Sequence, residues 1–307
     1  MSTARPPEGA HTAARQGGGS PIIAARPPEG AHTAARQGGG SPICAGLELR
    51  RLSAGYPRRS VLEGLDLEPV APGTLVALVG PNAVGKSTLL KAIAGLSPVR
   101  GQVLLDGTDL ATLSPRERLR RVGYLPQALP QATSLVAYEA MLSALRASRA
   151  DLSRERAEAA IARVFAMLGL DALALRPLNE LSGGQRQMIG LAQVLVRAPR
   201  LLLLDEPTSA LDLRWQLQVL QTVRDQVGEA GTLAMIAVHD LNLALRFCDR
   251  IVVLGQGRVL AAGLPAEVLT PGLLRAAYGV RARIEHCSLG HPLVLADEAV
   301  SLNDDTP

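Results

Sequence analysis

Five apolar residues, Leu75-Val76-Ala77-Leu78-Val79, run directly into Gly80-Pro81-Asn82-Ala83-Val84-Gly85-Lys86-Ser87-Thr88, and Leu89, Leu90, Ile93 and Ala94 follow at helical spacing before Gly95. A short, wholly apolar run suits a strand buried on both faces, as in a parallel sheet covered by helices. The turn between strand and helix fits G-x-x-x-x-G-K-S, a loop whose backbone N–H groups wrap phosphates at the positive end of a helix. In such a loop Lys86 reaches the β- and γ-phosphates and the Ser87 hydroxyl ligates Mg²⁺. This stretch limits the chain to an α/β fold with a nucleotide at one end of its sheet.

A second glycine-rich turn opens another helix. In Leu181-Ser182-Gly183-Gly184-Gln185-Arg186-Gln187, followed by Met188, Leu191, Ala192 and Leu195 at helical spacing, Ser182 stands at the N-cap and Gln185 three residues on. That is a capping box, in which the serine oxygen and the glutamine side chain each satisfy a free backbone N–H. Two glycines, a hydroxyl and a helix N-terminus also form an anion site. Further on, Leu201-Leu202-Leu203-Leu204 reads as a buried strand with Asp205-Glu206 at its carboxyl end, where ligands of parallel α/β sheets bind. Adjacent carboxylates repel unless a cation shares the site, so the pair suggests a metal. The apolar run Leu233 to Val238 predicts one more strand, with His239 at its end.

Composition sets the remaining bounds. The 307 residues are 47% hydrophobic but only 2% aromatic, so the core has to be built from Leu, Val, Ile and Ala. There is no run of about 18 apolar residues to span a bilayer, and the start of the chain lacks the apolar segment of a secretory signal. Cys44, Cys248 and Cys287 are odd in number and widely spaced, which suits reduced thiols in the cytosol. The net charge of +4 is spread along the chain, so no nucleic-acid partner is expected.

Residues 4 to 22 recur unchanged at 25 to 43, a 19-residue duplication rich in Pro, Gly and Ala that cannot close a core. We expect residues 1–45 to be a disordered tail, with His11 and His32 incidental. Leu47–Leu49 and Val61–Leu67 read as short strands separated by turns, and Val103–Leu105 with Asp106-Gly107 as a strand and hairpin turn. Ser114 and Pro115 open a short basic helix. Two helical stretches follow between Ser134 and Gly169, the second amphipathic. Ile251–Leu254 and Arg258–Ala261 predict a closing hairpin around Gly255-Gln256-Gly257. Ala266–Leu269 and Leu273–Tyr278 predict short helices, and Arg283–Cys287 with His291–Leu295 a β-like pair. His286, Cys287 and His291 lack a fourth ligand and a firm geometry, so no metal is expected there.

The string LSGGQ at 181–185 resembles the signature of the ATP-binding cassette (ABC) family, and the other motifs of that family follow in order over about residues 46 to 260. Tyr56 resembles the A-loop tyrosine that stacks on adenine. Residues 80–88 resemble Walker A, implying nucleotide contacts from Gly80, Pro81, Asn82, Gly85, Lys86, Ser87 and Thr88. Gln127, in Val122-Gly123-Tyr124-Leu125-Pro126-Gln127, resembles the Q-loop. Asp205-Glu206 resembles Walker B, with Ser87, Gln127 and Asp205 implied as the Mg²⁺ site and Glu206 as general base. Asp212 resembles the D-loop aspartate, and His239 the H-loop histidine that contacts the γ-phosphate. ABC proteins commonly carry glycine where Ala83 stands, so a positive φ there would strain the alanine.

The resemblance implies a fold class of α/β, a P-loop NTPase cassette with a RecA-like parallel-sheet core, an antiparallel β subdomain and an α-helical signature subdomain. Its domain would cover 46–280, the helical part about 128–185, with 281–307 a short C-terminal extension. It implies ATP and Mg²⁺, hydrolysis of ATP, and head-to-tail pairing in which Ser182, Gly183, Gly184 and Gln185 of one chain meet ATP held by the other. The implied partners are a second copy, transmembrane permease subunits and, indirectly, a substrate-binding protein, at the cytoplasmic face of the inner membrane. The face near Gln127 to Met141 is the candidate permease contact. VGYLPQ, LSGGQRQ, LLLLDEPTSALDLR, AVHDLNLALRFCDR and the tail with HCSLGHPLVL resemble importer subunits for iron(III)-siderophore, haem and cobalamin complexes. Siderophore is the first expectation, with haem or cobalamin behind it. A soluble ABC protein would carry two cassettes or long inserted arms in one chain, and a P-loop kinase or GTPase would lack LSGGQ.

Overall fold

The structure is a computed structural model that describes residues 46–57, 59–129, 133–209 and 211–300. The expectations for the tail, its duplication, His11, His32 and Cys44 lie outside the described residues.

In chain order the strands and helices are β1 (Leu47–Tyr56), β2 (Arg59–Val70), β3 (Leu75–Val79), α1 (Lys86–Ala94), β4 (Val99–Leu105), β5 (Thr108–Asp109), α2 (Pro115–Arg121) and β6 (Val122–Leu125). Then come α3 (Ala137–Ser148), α4 (Arg154–Leu168), α5 (Gly183–Leu195), β7 (Leu201–Asp205), α6 (Leu213–Ala230), β8 (Leu233–Ala237) and α7 (Leu241–Phe247). The chain closes with β9 (Arg250–Gly255), β10 (Arg258–Gly263), α8 (Pro265–Val268), α9 (Pro271–Tyr278), β11 (Val280–His286) and β12 (Pro292–Ala299).

The central sheet has the order β10-β9-β3-β8-β7-β6, with β9, β3, β8, β7 and β6 parallel and β10 antiparallel at one edge. Every residue of β3, β7 and β8 is buried, as the continuous apolar runs require. Alternate residues serve opposite faces. Leu75, Ala77 and Val79 join one core with α3 to α6, while Val76 and Leu78 join a second core beneath α1 and the antiparallel sheet. Each fully buried leucine contributes roughly 1.5–3 kcal/mol.

The second sheet, β2-β1-β4-β5, is antiparallel. Its first two strands are longer than expected from sequence: β1 has 10 residues and β2 has 12. Gly55, which reads as a turn, lies inside β1, and Gly64 sits inside β2 at φ 57°; register shifts along the β1–β2 ladder absorb both. The capping box at Ser182 forms as expected: Gln185 N–H donates to Ser182 Oγ at 3.2 Å and Ser182 N–H to Gln185 Oε1 at 2.9 Å. Ser114 caps α2 in the same way with Glu117. The hairpin β11–β12 packs on α7, where Asn242 pairs with the backbone of Val294 in both directions. Ala282 of β11 is buried in the same core as the parallel sheet.

Candidate nucleotide site

The order of the central sheet brings the site together. β3, β8, β7 and β6 are consecutive neighbours, and the chain leaves their carboxyl ends through the 80–88 loop, His239, Asp205-Glu206 and Gln127 respectively. Four separate stretches of sequence thus meet at one edge, the position ligands take in such sheets. A cavity of about 840 Å³ opens there, lined by Tyr56, Asn82, Lys86, Ser87, Gln127, Glu206 and His239 among others.

The loop itself depends on glycine. Gly80 has φ 146° and Gly85 φ 112°. A Cβ on Gly80 would lie 2.4 Å from the Leu254 carbonyl oxygen, and one on Gly85 2.9 Å from Leu62 Cδ2. Ala83 adopts φ 61°, the left-handed conformation in which alanine is strained, so the chain accepts this strain at the position where the related motif has glycine. Gly85 caps α1 without a side-chain hydrogen bond, and the first turn of α1 has no acidic residue. The positive end of this helix therefore faces the cavity with no anionic side chain of its own, which suits a bound phosphate.

Lys86 is only 6% exposed, and its Nζ donates to the carbonyls of Gly80 at 2.7 Å and Pro81 at 3.0 Å. Burial lowers its pKa, opposed by the nearby charges of Glu206 and Asp205. Asp205 is 1% exposed. Burial pushes its carboxyl up and the Glu206 charge adds to this, while hydrogen bonds from Ser87 and Tyr124 pull it down. Ser87 Oγ donates to Asp205 Oδ1 at 2.9 Å. Hydroxyl, carboxylate and amide oxygens are the donor set a hard cation such as Mg²⁺ takes, and Ser87, Asp205 and the nearby Gln127 supply it.

Glu206 has φ 50°, a strained conformation for a glutamate, costing ~1–3 kcal/mol. Both its oxygens are engaged: Gln127 Nε2 donates to Oε2 at 2.6 Å, and His239 Nε2 lies 2.5 Å from Oε1. The strained turn aims the carboxylate into the cavity between these two side chains.

Other expected residues lie elsewhere. Ser182, Gly183, Gly184 and Gln185 do not line this cavity, and neither does Asp212, which caps α6 by accepting from Trp215 N–H at 3.0 Å. Beyond its chain neighbours and its own helix backbone, nothing lies within 4 Å of where a Cβ on Gly183 would be. Conversely, Arg59, Glu63 and Gln256 line the cavity without having been singled out in the sequence. The only hint was the Gly255-Gln256-Gly257 turn, whose tip is fixed on β2 by Glu63 N–H donating to the Gly257 carbonyl at 3.2 Å. A smaller groove of about 330 Å³ lies between α3 and α5, lined by Leu129, Leu135, Ala140, Ala144, Arg186 and Ile189 among others. It falls in the stretch expected to contact a permease, of which residues 130–132 are outside the described residues.

The parallel sheet, the phosphate loop at the end of β3 and the carboxylates at the end of β7, one strand beyond β8, define a P-loop nucleotide hydrolase. The family model described as ABC transporter matches residues 62–209. The Hemin import ATP-binding protein HmuV of Pseudomonas entomophila (strain L48) is 42% identical over 259 residues, covering 81% of this chain and 97% of that protein. The Cobalamin import ATP-binding protein BtuD of Halobacterium salinarum (strain ATCC 29341 / DSM 671 / R1) is 38% identical over 216 residues, 70% of this chain and 54% of that one. A solved structure of the ATP binding subunit of an ABC transporter superposes with a TM-score of 0.65 at 29% identity, covering 76% of this chain and 94% of that chain. The chain belongs to the ABC transporter family as an ATP-binding protein, and it is an ATPase. Among the described residues no helix is long and apolar enough to cross a membrane.

Proposed function

We propose that this chain energises an importer by hydrolysing ATP between two copies of itself. The observation that carries the reading is the meeting of Lys86, Ser87, Gln127, Glu206 and His239 at one cavity, with Asp205 bonded to Ser87 behind it, beside a helix N-terminus that no side chain caps. In this reading Tyr56 stacks on the adenine. Gly80, Pro81, Asn82, Gly85, Lys86, Ser87 and Thr88 hold the phosphates. Ser87, Asp205 and Gln127 would hold Mg²⁺, whose charge would offset that of the phosphates. Glu206 accepts a proton from the attacking water, and His239 steadies both the carboxylate and the γ-phosphate.

The separation of the Ser182–Gln185 turn from the cavity supports a site completed by a second copy. The exposed helix start, with its free glycine at 183, is available to reach the γ-phosphate of ATP held by the partner, and Asp212 lies on the same contact. The groove between α3 and α5 is the proposed seat of a transmembrane permease, at the cytoplasmic face of the cell membrane, with a substrate-binding protein acting on the permease's far side. Residues 46–280 serve as the cassette, about 128–185 as its helical part and 281–307 as its extension.

For the cargo, the hemin- and cobalamin-importing relatives support a metal-tetrapyrrole over the iron(III)-siderophore first expected from the motifs. Hemin is favoured, since the relative named for it aligns over nearly its whole length. The test is uptake of hemin, ferric siderophore and cobalamin by cells lacking the gene, complemented with wild type or Glu206→Gln. Hemin uptake restored by wild type alone supports the reading. Restoration of siderophore or cobalamin uptake instead changes the cargo, and restoration of none removes the import assignment.

A further inference from the structure

Asp205 presents an unusual problem. It is a carboxylate with almost no exposure, next in sequence to a second carboxylate, and an anion placed there needs donors on both oxygens. One donor is the Ser87 hydroxyl on Oδ1. The other is the Tyr124 hydroxyl, 3.2 Å from Oδ2. Tyr124 is the third residue of β6, whose ladder with β7 pairs it with Leu203, two positions before Asp205. Its ring packs into the core that lies beneath α1. The side chain thus crosses from the neighbouring strand to the end of β7, with its rotation fixed by packing and only its hydroxyl reaching the site.

We infer that Tyr124 is a positioning residue for the divalent-cation site: its hydroxyl holds Oδ2 of Asp205 and so turns Oδ1 toward Ser87 and the cavity. This rests on the reading of Asp205 and Ser87 as cation ligands. Ser87 holds only Oδ1, so the rotation of the carboxylate is set by what holds Oδ2. Tyr124 has no ligand role, and a phenol keeps its proton at neutral pH, so it acts as a donor to the carboxylate throughout. Partners that orient a ligating carboxylate typically change metal affinity by about 10- to 100-fold when removed.

The test uses the full chain with a fluorescent, non-hydrolysable ATP analogue, titrated with Mg²⁺ and, in parallel, with Mn²⁺ followed by electron paramagnetic resonance. Tyr124→Phe keeps the ring and its packing but leaves Oδ2 without its donor, so the unfolding temperature in EDTA falls modestly while analogue binding in EDTA stays close to wild type. The cation concentration for half-saturation rises about tenfold. Asp205→Asn raises it further. If Tyr124→Phe titrates with both cations as wild type does while Asp205→Asn is impaired, the positioning role is overturned. If Asp205→Asn also titrates as wild type, the cation-ligand reading beneath it falls. A Tyr124→Phe that loses analogue binding even in EDTA shows a packing role, which also overturns the inference.

Discussion

Replacing Gly85 by alanine tests the physical basis of the phosphate loop, because two penalties meet there. Its φ of 112° lies in a region that L-residues rarely adopt, costing ~1–3 kcal/mol. The new Cβ would lie 2.9 Å from Leu62 Cδ2 and 3.0 Å from Val61 Cγ1, ends of side chains that can shift at a cost of about 1 kcal/mol. Reduced freedom of the unfolded chain returns ~0.4–1 kcal/mol. The net is a destabilisation of about 2 kcal/mol, read by equilibrium urea unfolding from the fluorescence of Trp215, the one tryptophan of the chain. Nucleotide binding should fall with it, since relief of the strain rotates the loop N–H groups away from the phosphates. Gly183→Ala is the control. It stands in the first turn of α5 with nothing within 4 Å, so alanine there should leave stability unchanged or raise it. A Gly85→Ala protein with unaltered urea midpoint and nucleotide affinity would refute the argument from φ and close contact.

Further outcomes follow from the same geometry. Ser182→Ala removes the acceptor of Gln185 N–H and should cost ~1 kcal/mol of stability; a binding titration should show ATP affinity of the single chain intact while ATPase activity falls, because the residue acts across the pair. The Arg200 guanidinium beside Asp106, with help from Gly46 N–H, holds that carboxyl below its ordinary value. The stabilisation from a lowered carboxyl is complete above the unfolded value near 4 and is lost as pH falls through the folded value. The gap in melting temperature between wild type and Asp106→Asn should therefore be constant from about pH 5 to 8 and shrink below about pH 4; a gap that does not change with pH would remove the ion pair as its cause.

The motifs made β3, β7, β8 and α5 legible because each couples a short apolar run or helical spacing to a polar residue at one end. The full lengths of β1 and β2 were not legible, since Gly55 looks like a turn and the outer residues of β2 are held in the strand by pairing with β1. α6, the 18-residue helix, carries a legible signal that the motif reading passed over: Asp212 as cap, Val219, Leu220, Val223 and Val227 at helical spacing, and Gly231 at the end. In the site, residues on strand ends could be read individually, because a parallel sheet gathers its carboxyl ends. Arg59, Glu63 and Gln256 could not, because they reach the cavity through the packing of one sheet on the other. Tyr124 lies within a legible strand-end motif, but its hydrogen bond to Asp205 depends on β6 lying beside β7.

The central claim is that Glu206, strained at φ 50° and held by Gln127 and His239, is the proton acceptor for hydrolysis. Its most direct test is ATP binding and turnover by purified Glu206→Gln beside wild type. The account predicts ATP affinity close to wild type with turnover lowered ~10²- to 10⁴-fold, equivalent to roughly 3 to 5 kcal/mol of barrier. Turnover within a few-fold of wild type would contradict it and move the base to another residue.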